Sequence, residues 1–350
     1  MEQNKSIKVG ITLGDINGVG IEVILKALSN SDVYANSTPI IYGSSKTISF
    51  HKKAIDDKDF KYLVINDAKE AKPKKVNLIN VWNEDAKVVL GEKNANGGTY
   101  ALKSLEAATK DLMENKIDCL VTAPINKDCV RDAGFEFPGH TEYLASKSDS
   151  EDVLMFMVAE TLKVGVVTGH VPLKDVAALI TKESIENKLR LMLKTLRQDF
   201  LIASPKIAVL GLNPHAGDRG TIGQEELDII NPTIQKLRDE GALIYGSYSA
   251  DGFFGSSNAK NFDAILAMYH DQGLTGFKAI SFDEGVNFTA GLKIVRTSPD
   301  HGTAYDIAGK GIASERSFRN AYYLACDIFR NREKHAIMNE NPLKKQTTKK

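Results

Sequence analysis

The sequence predicts an α/β fold in which largely parallel strands alternate with helices and build two domains. Short apolar runs alternate with amphipathic segments from Ile7 to Arg330, which is typical of strand–helix units around a parallel sheet. Several apolar runs end in a polar or glycine-rich loop, as strands of an open sheet do beside a ligand site. The length of 350 residues exceeds one ordinary hydrophobic core and suits about two domains.

The first half of the chain opens with a strand, a turn and a helix. Ile7–Leu13 is strand-like, Gly14–Gly20 is a glycine-rich turn, and Ile21–Leu28 begins a helix. A long helix is predicted from about Thr99 to Asn115, because its apolar residues recur at helical spacing. A shorter helix opens within Phe137–Leu144. The other strands predicted here are Pro39–Gly43, Tyr62–Ile65, Val76–Val81 and Asp118–Pro124.

The second half continues the alternation of strands and helices. Its predicted strands are Val153–Val158, Leu162–Thr168, Ile207–Leu212, Ala242–Tyr245, Ala264–Ala267, Val286–Ala290 and Leu292–Arg296, the last two as a pair. Its predicted helices are Leu173–Ile180, Ser184–Phe200, about Gln224–Glu240, and Ser314–Arg330. Three polar loops lie between these elements, at Asn213–Gly223, Ser249–Phe253 and Ser298–Gly309. Loops of this kind are where binding and catalytic residues concentrate.

The composition excludes several classes of function. The chain has 45 basic and 45 acidic residues, so its formal net charge is +0. This gives no electrostatic basis for binding nucleic acid or an acidic membrane surface, although an anionic small molecule needs only local charge. The 3 cysteines include no CxxC pair, which indicates neither a disulfide framework nor a zinc knuckle. With no recognisable signal peptide or membrane span, we expect a cytoplasmic protein whose lysine-rich residues 341–350 form a disordered tail.

The glycine-rich turn Gly14–Gly20 has two interpretations. A turn between a strand and a helix can present backbone N–H groups to an anion. The same glycines serve equally well in a tight turn that needs positive φ angles. The spacing is not that of the G-x-G-x-x-G dinucleotide fingerprint, so the turn does not predict a Rossmann site.

Three histidines follow apolar strands and suggest a metal site. His170 follows Val164–Gly169, His215 follows Ile207–Pro214, and His270 follows the run that begins at Ala264. If the three strands converge, the imidazoles provide three ligands and leave one open position, which is the pattern of a catalytic metal site. The alternative is that each histidine is an ordinary hydrogen-bonded loop residue, and spacing alone leaves both interpretations open.

Six motifs in order make the chain similar to the 4-hydroxythreonine-4-phosphate dehydrogenase family. They are Gly14–Gly20, Thr122–Lys127, Phe137–Glu142, Gly211–Gly217, Ala267–Gly273 and Arg296–Ala304. The resemblance covers nearly the whole chain. It departs at Ile16 and Ile21, where the family usually has proline, and it is weaker from Gly246 to Lys260.

The resemblance implies a two-domain αβα subunit with a cleft, related to isocitrate and isopropylmalate dehydrogenases. Residues 1–122 and about 297–340 would form the first domain, and about 123–296 the second. The family's cofactor is NAD, with NADP as the alternative, and the segment that holds it corresponds to His301, Gly302, Thr303 and Ala304. The family also implies a homodimer with a shared active site and one divalent metal per site, such as zinc, cobalt or magnesium.

The resemblance further implies specific roles for residues. The metal ligands would be His170, His215 and His270, with His270 supplied by the partner subunit. The substrate-binding positions would be His140, Thr141, Lys278, Asn287 and Arg296. Asp251 matches an acidic residue near the metal. The general base stays open between Asp251, Asp271 and a metal-bound water, and Lys278 is a candidate acid for decarboxylation. From the residues alone, Lys278 and Arg296 could equally be solvated surface ions.

The activity implied is NAD-dependent oxidation of 4-phosphohydroxy-L-threonine to a β-keto acid that loses carbon dioxide, in pyridoxine 5′-phosphate synthesis. One alternative is the same chemistry on a four-carbon sugar-acid 4-phosphate of the threonate or erythronate type. A second is a phosphate acyltransferase, which needs no three-histidine site. A third is a non-enzymatic protein with structural zinc, although closed zinc sites usually have four ligands, often cysteine.

Overall fold

A computed structural model describes residues 6–340, and twelve strands of this part of the chain form one continuous sheet. The strands are β1 (Ile7–Thr12), β2 (Ser37–Gly43), β3 (Leu63–Ile65), β4 (Asn77–Asn80), β5 (Cys119–Thr122), β6 (Leu154–Val158), β7 (Lys163–Thr168), β8 (Lys206–Leu210), β9 (Leu243–Tyr248), β10 (Ala264–Tyr269), β11 (Val286–Ala290) and β12 (Arg296–Pro299). Their order across the sheet is β3-β4-β2-β1-β5-β12-β11-β6-β7-β10-β8-β9.

Eleven α-helices of the described residues cover the sheet on both faces. They are α1 (Gly20–Ser29), α2 (Ser45–Ala54), α3 (Ala95–Met113), α4 (Lys127–Asp132), α5 (His140–Lys147), α6 (Leu173–Leu179), α7 (Lys182–Gln198), α8 (Asn231–Asp239), α9 (Ala250–Gly255), α10 (His270–Ser281) and α11 (Arg316–Met338). None of the helices within residues 6–340 is both long and apolar enough to cross a membrane.

The two halves of the sheet run in opposite directions. One half consists of β3, β4, β2, β1, β5 and β12, which are parallel to one another. The other half consists of β7, β10, β8 and β9, which are also parallel to one another. Between these halves, β11 is antiparallel to both β12 and β6, and β6 is antiparallel to β7. The strand direction changes three times between the two halves, so the carboxyl ends of the strands in one half point the opposite way from those in the other half. A site served by both halves must therefore lie over a face of the sheet.

The hydrophobic core is continuous on one face of the sheet and divided on the other. On the first face, a single cluster runs through both halves and includes apolar residues of α1, α7 and α11. On the second face, one cluster packs around α3 and α5, and a separate one packs around α9 and α10. The gap between these two clusters lies over the central strands.

The polar residues of the central strands face this gap because side chains alternate along a strand. In β11, Val286, Phe288 and Ala290 enter the continuous core, so Asn287 and Thr289 point to the other face. Register extends this face to β12 and β5, since Asn287 is paired with Ser298 and Arg296 with Leu120. Alternation thus brings Thr122, Asn287, Thr289, Arg296 and Ser298 onto one polar strip.

The turn Gly14–Gly20 serves packing, as its tight-turn interpretation expected. Gly14 has a φ of 65°, and a Cβ there would lie 2.3 Å from the Pro124 carbonyl oxygen. A Cβ on Gly18 would lie 2.7 Å from the Thr303 carbonyl oxygen. The buried carboxylate of Glu22 accepts the Ala313 N–H at 2.9 Å, so the turn and helix α1 hold the later segment 303–313 in place.

The structure corrects several predicted elements. Leu292–Arg296 is not a strand: the chain turns at Gly291 with a φ of 92°, and β12 begins only at Arg296, where it pairs with β5. The loop predicted at Ser249–Phe253 is largely the helix α9. Three further helices were not predicted, namely α2, α4 and α10. The two-domain division stays a prediction, and the predicted tail 341–350 lies outside the described residues.

His51 provides a test of the core that is independent of the active site. This histidine is buried on α2, and its Nε2 lies 2.8 Å from the carbonyl oxygen of Ile16. Burial lowers the pKa of His51 from 6.5 to about 4. The unfolded chain therefore binds a proton at higher pH than the folded chain, and stability falls as pH drops from about 6.5 to 4.

We expect protonation of His51 to reduce the free energy of unfolding by about 3 kcal/mol between pH 6.5 and 4. In His51→Gln, whose amide can still donate to Ile16, this part of the acid sensitivity should be lost. Urea unfolding of both proteins across this range measures the difference. His335→Gln, on the C-terminal helix, is the matched control. Equal pH slopes for wild type and His51→Gln would contradict this account.

Candidate active site

A cavity of about 340 Å³ opens over the polar strip between the two separate cores. Thr122, Arg296, Ser298 and Asn287 form its floor, and the loops after β5 and β12 form one wall. A neighbouring cavity of about 470 Å³ shares His170, Lys278, Asn287 and Asp300 with it. The two cavities therefore form one site with two compartments.

Arg296 lies at the floor of the first compartment and is 4% exposed. Its guanidinium donates to Thr122 Oγ1 from Nε at 3.0 Å and from a terminal nitrogen at 2.7 Å, and to Thr289 Oγ1 at 3.1 Å. Burial lowers the pKa of Arg296 to about 10, which leaves it charged at neutral pH. It forms no ion pair with a carboxylate among residues 6–340. A buried cation without a counterion is suited to an anionic ligand.

His140 begins helix α5 and contacts Arg296 directly. Its Nδ1 accepts an N–H of Arg296 at 3.3 Å, so the ring is neutral and Nε2 carries the proton. Burial lowers the pKa of His140 well below 6.5, and the charges of Arg296 and Lys127 lower it further. Its buried Nε2 has no hydrogen-bond partner in the structure. His140 thus provides an unpaired Nε2–H donor beside the Arg296 guanidinium. The hydroxyl oxygen of the next residue, Thr141, lies 3.4 Å from that of Thr289.

Lys278 and Asp300 form an ion pair where the two compartments meet. Lys278 Nζ lies 3.2 Å from Asp300 Oδ1, and the carboxylate is only 11% exposed. Burial raises the pKa of Asp300, and Lys278 opposes this shift. The Asp300 backbone N–H is held by Ser317 Oγ at 2.9 Å, which fixes the carboxylate. Lys278 is therefore an oriented cation rather than the solvated surface ion that the residue type alone would suggest.

His170 and His270 lie together in the second compartment. They follow the parallel neighbours β7 and β10, in which Thr168 pairs with Tyr269, and their ring centroids are 5.4 Å apart. His270 Nδ1 is 2.6 Å from Asp271 Oδ1. Burial lowers the pKa of His170, with Lys127 and His270 adding to the effect, so His170 is neutral at neutral pH and able to bind a metal.

His215 does not join the other two histidines within this chain. The described residues contain no group of three or more His, Cys, Asp or Glu side chains placed to hold a metal ion. His215 lies five residues beyond β8, in a run of left-handed conformations in which φ is 54° at His215 and 41° at Asp218. Buried Glu226 anchors this loop by accepting the Asn213 N–H at 2.7 Å. The three histidines therefore form no complete ligand group within the described part of one chain, and the metal site that all three would share stays a prediction.

Asp251 and Asp271 occupy different surroundings. Asp271 lines the second compartment and is bonded to His270. Asp251 lies in the first turn of α9, accepts a hydrogen bond from Ser249, and lines neither compartment. The Ser249 hydrogen bond is the main cause that lowers the pKa of Asp251, and the charge of His215 contributes. Asp251 is thus near His215 and away from the His170–His270 pair.

The segment His301–Ala304 connects the cavity with the first turn. His301 and Gly302 line the first compartment, and the buried Nε2 of His301 has no partner. The Thr303 carbonyl oxygen instead accepts the Val19 N–H at 2.9 Å, and Ala304 has a φ of 42°. Only the first two residues of this segment therefore face the site directly.

Sequence analysis did not identify Thr122, Thr289 or Asp300 as site residues. Thr122 and Thr289 hold the Arg296 guanidinium, and Asp300 holds Lys278. The sequence did contain a pattern that indicates a shared face. Polar residues recur at every second position at Arg296, Ser298 and Asp300, and again at Asn287 and Thr289. The sequence did not show which strands are neighbours, so the threonines could not be matched to the arginine.

Known proteins match this chain over most of its length. A sequence profile described as pyridoxal phosphate biosynthetic protein PdxA matches residues 35–325. The 4-hydroxythreonine-4-phosphate dehydrogenase of Bacteroides thetaiotaomicron is 49% identical over 99% of this chain and 95% of its own length. A putative D-threonate 4-phosphate dehydrogenase of Oceanobacillus iheyensis is 39% identical over 91% of this chain and 97% of its own length.

A solved structure shows the same fold. The crystal structure of 4-hydroxythreonine-4-phosphate dehydrogenase from Klebsiella pneumoniae superposes with a TM-score of 0.80 and 33% identity, over 93% of this chain and 98% of that chain. The predicted α/β fold class and the family resemblance are thereby confirmed. The chain is an oxidoreductase of the PdxA family.

Proposed function

We propose that the protein oxidises 4-phosphohydroxy-L-threonine with NAD in a divalent-metal-dependent reaction, as a step of pyridoxine 5′-phosphate synthesis. The secondary alcohol loses a hydride to NAD and a proton to the protein or solvent. This gives 2-amino-3-oxo-4-(phosphooxy)butanoate and NADH. Loss of carbon dioxide and uptake of a proton then give 3-amino-2-oxopropyl phosphate. The family's role in pyridoxal phosphate synthesis and the names of the relatives motivate this choice.

One observation carries the proposal: a buried cation without a counterion lies next to a pair of histidines. Arg296 and the spare N–H of His140 suit the phosphate group. His170 and His270 suit a metal that would bind the hydroxyl, in the adjoining compartment. A substrate with a phosphate at one end and a hydroxy acid at the other matches this separation of functions.

The residues around the histidines fit a metal ion. Two imidazoles lie side by side, and the lowered pKa of His170 keeps it in the neutral form that a metal requires. When bound, a divalent metal would act as a Lewis acid on the alcohol oxygen that becomes the ketone. Asp271 is bonded to His270, and Lys278, which is held by Asp300 and lines both compartments, is our candidate for the acid that protonates the carbon left by decarboxylation.

The cofactor segment fits NAD in a similar way. The buried, unpartnered Nε2 of half-buried His301 and the open space beside Gly302 leave room for polar contacts. NAD, or NADP, would supply the acceptor for the hydride, and the chain would position it. The three cysteines are buried free thiols, in keeping with the reduced cytoplasm that we propose as the location.

We further propose that the active site is shared between two subunits. His215 lies apart from the other histidines, and apolar side chains near both loops are exposed, namely Leu173, Ile222 and Leu227. A second subunit that covered these loops would remove this apolar surface from water. The resemblance implied that His270 comes from the partner. Because His170 and His270 are neighbours here, the geometry favours His215 as the ligand that crosses the interface.

A second candidate function has a specific observation in its favour. The Oceanobacillus relative is named as a putative D-threonate 4-phosphate dehydrogenase, and it covers nearly the whole chain. The same site would then oxidise a four-carbon sugar-acid phosphate. The other rivals lose support, since the curated relatives are named as dehydrogenases.

The primary test is NADH formation from 4-phosphohydroxy-L-threonine. We expect turnover that chelation abolishes and that added zinc, cobalt or magnesium restores, because the alcohol needs a Lewis acid. The sugar-acid 4-phosphates are assayed in parallel. No turnover of the amino acid, together with metal-dependent turnover of threonate 4-phosphate, would move the function to the second candidate. Activity that is unaffected by complete chelation would contradict the metal site.

Mixing inactive variants tests the shared site. His170→Ala, His215→Ala and His270→Ala should each be inactive alone. Mixed dimers of His215→Ala with His170→Ala should contain one intact site, because one chain supplies His170 and His270 and the other supplies His215. We expect about a quarter of wild-type activity after random reassortment.

The matched control is the mixture of His170→Ala with His270→Ala, which should stay inactive if these two ligands come from the same chain. Activity in this mixture but not in the first would show that His270 crosses the interface instead. Activity in neither mixture, with mixed dimers verified by mass spectrometry, would rule out a shared site.

Arg296→Met tests the role of the buried cation. We expect the variant to fold with an unfolding free energy within about 1 kcal/mol of wild type. The substitution removes the hydrogen bonds of the guanidinium, but it also removes the free-energy cost of burying its charge, and the two effects offset each other. Its kcat/KM for the phosphorylated substrate should fall about 100-fold or more. Arg319→Met, a surface arginine of α11, is the control. A large loss of stability with unchanged kcat/KM would assign Arg296 a purely structural role.

A further inference from the structure

Arg296 and Lys278 are largely committed to protein groups before any substrate binds. A guanidinium has five N–H groups, and four of those on Arg296 already have acceptors in Thr122, Thr289 and His140. Only one N–H remains, so Arg296 cannot grip a phosphate with two parallel bonds without rearranging. Lys278 is neutralised by Asp300. A phosphate with nearly two negative charges therefore lacks an uncommitted cation among these residues.

Lys127 supplies the missing charge. It lines the first compartment together with Gly139, His140 and Arg296. Its side chain runs toward α5, since its Cε lies 4.0 Å from the position that a Cβ on Gly139 would take. Among residues 6–340, its ammonium group makes no hydrogen bond or ion pair, and the residue is exposed at the cavity mouth.

The position of Lys127 is fixed by the local structure. It is the first residue of α4, and the preceding Asn126 caps this helix by accepting the N–H groups of Asp128 and Cys129 at 3.1 Å each. A Cβ on Gly98 would lie 1.9 Å from the Cys129 carbonyl oxygen, so α3 and α4 are packed backbone to backbone. The exposed ammonium group of Lys127 thus extends from a fixed backbone position, which suits contact with an anion in the cavity.

The charge of Lys127 acts within the site, while the nearby Glu142 carboxylate, whose charge acts on Arg296, opposes it. The charge of Lys127 contributes, after burial, to the lowered pKa of both His140 and His170. The carboxylate of Glu142 lies on the same side, with Oε2 3.3 Å from the position of a Cβ on Gly139. It forms no ion pair with Lys127 among the described residues. Lys127 also lines the compartment of Arg296 and not that of His270, which places it at the phosphate end.

We propose that Lys127 is a substrate-binding residue that pairs with the phosphate group of the substrate and completes a site that Arg296 and His140 only begin. This proposal rests on the proposed function, because it takes the phosphorylated hydroxy acid as the substrate. It makes Lys127 a determinant of the preference for phosphorylated over unphosphorylated substrates.

The test compares Lys127→Met, Lys127→Arg and the control Lys194→Met, which removes an exposed lysine of α7. With 4-phosphohydroxy-L-threonine, we expect Lys127→Met to raise KM about tenfold or more with little change in kcat, because a contact made equally in the ground and transition states is lost. Lys127→Arg should restore most of the affinity. Unphosphorylated 4-hydroxy-L-threonine should be used equally poorly by wild type and Lys127→Met.

An unchanged KM in Lys127→Met would overturn the proposal. An equal loss for phosphorylated and unphosphorylated substrates would also overturn it, since Lys127 would then contact another part of the molecule. Calorimetric titration of the metal-loaded protein with inorganic phosphate provides a readout without turnover. We expect about tenfold weaker binding in Lys127→Met than in wild type and Lys194→Met. If wild type turns over no substrate, the proposed function fails, while this titration still decides the role of Lys127.

Discussion

The candidate active site depends most on the placement of one buried cation, Arg296, on a central strand of the sheet. A guanidinium that loses its hydration must recover hydrogen bonds, and here two threonine hydroxyls and one imidazole provide them. Thr122 and Thr289 belong to the strands β5 and β11 on either side of β12. A shift of β12 by one residue would turn Arg296 into the apolar core on the opposite face, so the register and the site are specified together.

The site occupies the gap where the second face of the sheet changes from one core to the other. The antiparallel strand β11 separates the two halves and provides alternate apolar and polar residues to its two faces. The continuous hydrophobic core on the opposite face of the sheet supports the strands that carry the polar strip. The loops above are joined across strands: Gln272 accepts the Met268 N–H and donates to the Gly211 carbonyl oxygen, each at 2.7 Å. The segments that carry His215 and His270 therefore begin at positions that these hydrogen bonds fix relative to each other.

Much of this arrangement was predictable from the sequence. The parts that were not predictable depend on the order of the strands in the sheet and on where β12 begins. Hydrophobic periodicity located most strands and the long helices, and His140 begins a helix as expected. The order of strands was not visible, so Thr122 could not be placed beside Arg296, and the convergence of the strands that precede His170 and His270 could only be hypothesised. Strand β12 was misplaced because Leu292 and Ile294 are apolar at strand spacing. These residues pack against the α3 cluster, and the ladder with β5 begins only at Arg296.

The geometry of His215 differs from that of the other histidines for a physical reason. His170 and His270 follow their strands within two residues, so strand pairing sets the distance between them. His215 lies on a loop whose successive residues are left-handed, a conformation that costs non-glycine residues about 1–2 kcal/mol each. The buried carboxylate of Glu226 offsets part of this cost through two bonds to Asn213, at 2.7 and 2.8 Å. The position of His215 therefore depends on the conformation of this anchored loop, whereas the positions of His170 and His270 follow from strand pairing.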